Sequence, residues 1–154
     1  MRFLAVLLFW GMSVCAVSAE TVLVCHSQEL PATDIQPQVE SALVETVFDQ
    51  LFDQGQVAFD LQDETTDAQG DTLRLKGLAK NYGADRVVWF HLIWKAGDKD
   101  LTLVSLVYRV MTANGLSLVQ GQLEGNLTIP SATEKTQLKA LKEAFSKRLK
   151  AAWS

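Results

Sequence analysis

Chemistry-bearing residues are scarce in this chain: among 154 residues there are two cysteines, two histidines and three prolines. Two histidines and one or two thiols make a poor inventory for a zinc site, which needs three or four ligands. No HExxH, CxxC, GxSxG, P-loop or GxGxxG spacing occurs, so the usual signatures of metalloprotease, redox, hydrolase, nucleotide and dinucleotide chemistry are missing. The formal charge is −4, which excludes the general electrostatic attraction that a nucleic-acid binder relies on. No apolar run reaches the roughly 20 residues that span a bilayer.

The first nineteen residues read as an export signal. Arg2 supplies a short positive start, Phe3 to Trp10 an apolar core, and Val17-Ser18-Ala19 the small residues before a cleavage site. Residues 1–19 are therefore expected to be removed, leaving 20–154 as a single α/β domain. Lipid attachment at Cys15 is disfavoured, because Val14 stands where a small residue should precede a lipid-bearing cysteine. Cleavage after Ala19 removes Arg2 and none of the 18 acidic residues, so the charge moves from −4 to −5. The compartment expected is the periplasm, with no transmembrane segment after cleavage and peripheral membrane contact left open. Cys25 then has no second cysteine within the chain and is expected to be buried in the first strand.

The remaining sequence alternates between two periodicities. Residues 21–26 read as a core strand. Val39, Leu43, Val47 and Leu51 recur at helical spacing over 37–54, with Gly55 placed to end the helix. Val57, Phe59 and Leu61 alternate as a second strand, and the acidic stretch 62–71 reads as a mobile loop. A helix over 72–82 is closed by Gly83. The segment 86–94 is apolar at both parities, as in a central strand covered on both faces. Strands over 101–110 and 116–125 flank an Asn114-Gly115 turn. Ser131 and Glu134 have capping-box spacing, and Leu138, Leu141, Phe145 and Leu149 form the stripe of a last helix reaching toward Trp153. The expected fold is α/β (α+β), a single mixed β-sheet with flanking helices in the order β-α-β-α-β-β-β-α.

Few residues invite a chemical role. Cys25 and His26 adjoin in a strand, so they should face opposite sides and cannot act together. His26 and His91 are read as structural. The acids at 60, 63, 64 and 67 match no calcium loop. Asn126-Leu127-Thr128 has the form of a glycosylation sequon. The last helix is basic within an acidic protein: Lys139, Lys142 and Lys147, with Trp153 beyond them as an exposed side chain, are the expected contact with a partner or an anionic surface. The plainer reading is a solvated face whose cations suit the helix dipole.

The stretch Leu78-Ala79-Lys80-Asn81-Tyr82-Gly83-Ala84-Asp85-Arg86-Val87-Val88 resembles a segment of a group of bacterial envelope proteins. That group includes the amino-terminal domain of TolB, CsgG and LpoB. The turn at 110–119 and the segment Gly55-Gln56-Val57-Ala58-Phe59 resemble further parts of the same pattern, so the likeness spans roughly residues 40–125. The resemblance implies a helix ending at the Gly-Ala-Asp turn and feeding a buried strand. It further implies a non-enzymatic module that docks onto other envelope proteins, without cofactor or catalytic residues. The matched positions belong to the scaffold, so no binding residue is carried over. The sequence lacks a lipobox and has no length for a propeller or for membrane-spanning hairpins. A domain that binds a small molecule or an envelope polymer through the basic last helix is the alternative.

Overall fold

A computed structural model describes residues 18–61 and 70–154. The export signal up to Val17, with Cys15, and loop residues 62–69 lie outside the described residues. Five strands form one sheet in the order β2-β1-β3-β4-β5: β1 (Thr21–Glu29), β2 (Val57–Asp60), β3 (Arg86–Ala96), β4 (Leu101–Thr112) and β5 (Ser117–Ile129). Strands β2, β1 and β3 run parallel, and β3, β4 and β5 form an antiparallel meander. Helices α1 (Val39–Asp53), α2 (Thr72–Tyr82) and α3 (Glu134–Lys150) complete the expected order, with a short 3-10 turn over Ala151–Trp153.

The two crossovers run in opposite directions along the sheet, the first from β1 to β2 and the second from β2 back across β1 to β3. Crossovers of one hand then place their helices on opposite faces of the sheet. One face packs α1 and α3: Leu43, Val47, Leu51, Phe145 and Leu149 meet Val22, Val88, Phe90 and Leu106. The other packs α2, whose Leu75, Leu78 and Ala79 meet Leu23, Cys25, Val87 and Trp89. Strand β3 is buried on both sides along residues 87–92, which is why its sequence shows no alternation. Cys25 is buried, and His26 lies across the sheet from it, as the strand period requires.

The Gly-Ala-Asp turn has a physical role at each position. Gly83 takes the left-handed conformation (φ 63°) that ends α2 and costs a residue with Cβ most. Ala84 is buried, and Asp85 binds three ways. Its N–H donates to Thr21 O and its Oδ2 accepts from Thr21 N–H, both at 2.8 Å, while its carbonyl accepts from Ala113 N–H. One turn thus ties the starts of β1 and β3 to the end of β4.

Two local expectations are corrected. Ser131 and Glu134 do not form a capping box. The Ser131 hydroxyl instead accepts the Thr133 N–H at 3.3 Å, an early turn that delays the helix until Glu134. Trp153 is not a free exposed side chain: it packs half-buried, its indole N–H 3.3 Å from Glu20 Oε2 and its ring under Arg86.

Candidate functional site

In an open parallel sheet, groups at the carboxyl ends of strands beside the reversal of strand order are set to meet in a crevice. Here that place is the end of β1, and both histidines stand near it. His26 leaves β1 on the α1 face. Its Nδ1 lies 2.6 Å from Glu40 Oε1 in the first turn of α1, and its Nε2 lies 2.8 Å from Asp60 Oδ1 at the end of β2. Phe90 backs the ring at 5.5 Å, nearly parallel.

Two carboxylates can both be satisfied only if each ring nitrogen carries a proton, which makes His26 an imidazolium. Burial opposes that charge, but Glu40 and Asp60 outweigh it, by hydrogen bond and by attraction, and hold the pKa above the ordinary 6.5. An imidazolium bonded at both nitrogens has no lone pair for a metal or for a substrate proton. No group of three or more metal-ligating side chains is assembled among the described residues. The cluster does shape a trough of about 700 Å³, walled by Ser41, Val44, Glu45 and Phe48 of α1, with His26 and Asp60 at its base.

His91 sits on the other face of the sheet and is almost fully buried. Its Nδ1 is 2.8 Å from Ser27 Oγ, its partner across β1 and β3, and Trp89 stacks beside it at 6.2 Å. Burial lowers its pKa below 6.5 despite the nearby Glu29, so the ring is neutral. Serine, histidine and Glu29 invite comparison with a nucleophile, base and acid. However, Glu29 lies 3.9 Å from Nε2, too far for a hydrogen bond, and Nε2 has no partner. The acid that would orient the base is not engaged.

The side chains grouped by the sequence on α3 divide between settings. Lys139 is exposed, 3.9 Å from Glu143 one turn on. Lys142 and Lys147 line a groove of about 430 Å³ between α1 and α3, opposite Asp49 and Asp53. Beneath it the Ser146 hydroxyl donates to Gln50 Oε1 at 2.7 Å. This groove carries both charges rather than a cationic surface. Trp153 stands apart, tied to Glu20 and Arg86.

No protein-family model matches the chain, and no curated protein matches it by sequence. Solved structures do. Lipoprotein GNA1162 from Neisseria meningitidis is similar with a TM-score of 0.54 and 17% identity, over 84% of this chain and 97% of that one. PelC from Paraburkholderia phytofirmans, described as a dodecamer, gives 0.49 and 14%, over 83% and 86%. The LpoB C-terminal domain from Salmonella enterica gives 0.43 and 16%, over 76% and 87%. At these identities what the Neisseria lipoprotein shares with the chain is the fold. The LpoB group named on the Gly-Ala-Asp segment is represented among the matching structures.

Proposed function

We propose that this chain is a non-enzymatic exported envelope protein, a periplasmic module that docks onto other envelope proteins. The observation that carries the reading is how the histidines are spent. His26 is saturated by two carboxylates, and His91 is buried against Ser27 with its other nitrogen unengaged. Large apolar side chains, by contrast, are left on the outside: Phe52 is 81% exposed, Leu73 75% and Leu116 65%. Chemistry is turned inward and contact surface outward. The leader pattern in residues 1–19, the absence of a helix able to cross a membrane among the described residues, and a fold shared with a bacterial lipoprotein support the compartment.

The test is crosslinking in the envelope followed by capture of the tagged mature protein and mass spectrometry. A dominant envelope partner, above an exported control of similar charge, is the expected result. A turnover activity abolished by a point mutation would overturn the reading. Binding of a small molecule or envelope polymer through α3 is tested by reversing the charge of Lys139, Lys142 and Lys147; an unchanged ligand profile removes it.

A further inference from the structure

Strand β2 ends the sheet on one side, as β5 does on the other, and its outer edge carries backbone groups that no other strand meets among the described residues. Val57 N–H donates to Glu20 O at 2.9 Å and Leu61 N–H to Val24 O at 3.1 Å, so the odd-numbered residues turn their backbone groups toward β1. Alternate residues of a parallel strand point the other way. The N–H and C=O of Ala58 and Asp60 therefore face outward, and no strand among the described residues pairs with them.

The trough described above opens beside this edge. Val44 and Phe48 make its wall apolar, and Glu45 stands exposed on its rim. Three carboxylates (Glu40, Glu45 and Asp60) against the single charge of His26 leave it net negative. A second copy meeting this edge with its own would set like charges together, which is costly.

We infer that the β2 edge and its trough bind an extended, lysine- or arginine-bearing segment of a partner protein, added as a sixth strand with one large apolar side chain seated against Val44 and Phe48. This rests on the docking reading and names the partner's chemistry. Strand addition takes affinity from the main chain and specificity from pockets for alternate side chains. Because β2 has only four residues, the outward backbone groups are few, and the apolar anchor and the charges must supply the rest.

The experiment uses the mature protein and a heptapeptide alternating lysine with leucine, with a glutamate–leucine peptide as control. Expected are saturable binding of the lysine peptide and slowed hydrogen exchange at the amides of Ala58 and Asp60. Glu45→Lys, at an exposed position, should weaken binding roughly threefold to tenfold, whereas Lys139→Glu should not weaken it. Binding without protection at Ala58 and Asp60, equal binding of the glutamate peptide, or no binding overturns the inference. A photocrosslinker placed in the envelope at position 45, and separately at 139, distinguishes this failure from that of the docking reading. Heterologous adducts from 139 alone reject the edge and keep docking; adducts from neither reject both. Adducts from 45 to a second copy reject the heterologous partner.

Discussion

Arg86 grips the carboxylate of Glu20 with Nε at 2.8 Å and Nη2 at 3.0 Å, one bond to each oxygen. Its remaining nitrogen, Nη1, donates to Ala152 O at 2.6 Å, and the guanidinium lies 5.1 Å over the ring of Trp153. The planar fork of arginine serves all of these contacts at once, which an ammonium cannot do. Arg86→Ala is expected to lower stability by about 1–3 kcal/mol, since it leaves the Glu20 carboxylate only the Trp153 indole N–H and removes the Arg86 bond to the Ala152 carbonyl. Arg86→Lys should recover only part of it. Urea midpoints of the three proteins check this, and an Arg86→Lys midpoint equal to the wild type would refute the fork.

The two histidines give stability opposite dependences on pH. His26 has a raised folded-state pKa, so its contribution is complete below the unfolded value near 6.5 and is lost as pH climbs through the folded value. His91 has a lowered one, so its contribution is complete above 6.5 and fades as pH falls through the folded value. Stability of His26→Gln should accordingly rise with pH across the slightly acidic range, where His91 still titrates. Stability of His91→Gln should fall as pH rises from 6.5 through the raised folded-state value of His26. Chemical denaturation from pH 5 to pH 9 reads both slopes, and slopes of the same sign would contradict the assignment.

Phe145 has no exposed surface and meets Phe90 and Tyr108 edge-on, at 5.5 and 5.8 Å. It is the plug through which α3 seals the sheet. Phe145→Ala should cost about 3–5 kcal/mol by transfer and cavity together. Phe145→Leu, which keeps most of the volume, should cost clearly less. Thermal unfolding of both variants decides whether packing at this site has that weight.

Gly125 lies where the β4–β5 register shifts, and a Cβ there would fall on the backbone carbonyl of Leu103. A carbonyl in a ladder cannot swing aside as a side-chain tip can. Gly125→Ala is expected to destabilise by about 2 kcal/mol or more through forced backbone movement. By comparison, a Cβ at Gly77 would meet nothing nearby. Gly77→Ala, within α2, should be neutral or stabilising by up to about 1 kcal/mol. Paired denaturation curves test the contrast.

Local signals account for what the sequence made legible. The α2 boundaries, the stop at Gly83 and the doubly buried β3 follow from turn chemistry and periodicity over a few neighbouring residues. The last strand was harder to bound: β5 runs on past Gly125 to Ile129, with Val119, Leu123, Leu127 and Ile129 all packed on one face. The trough was not legible, since His26 meets Glu40 and Asp60 across 14 and 34 residues. Their meeting requires Val24 to pair with Asp60 and α1 to start beside the end of β1. The capping box failed for a related reason: Ser131 had a nearer donor, the Thr133 N–H.

The clasp of Arg86, Glu20 and Trp153 gathers the beginnings of β1 and β3 and the last turn of the chain at one pole of the domain. His26 stands six positions further along β1, about 20 Å away at the rise of an extended strand. A surface that holds the protein through residues just before Glu20, or just after Ser154, would therefore present the acidic trough at the far pole, turned outward. On the docking reading proposed above, the clasp is a handle and the trough a working end, and the strand direction between them sets how far that end can reach.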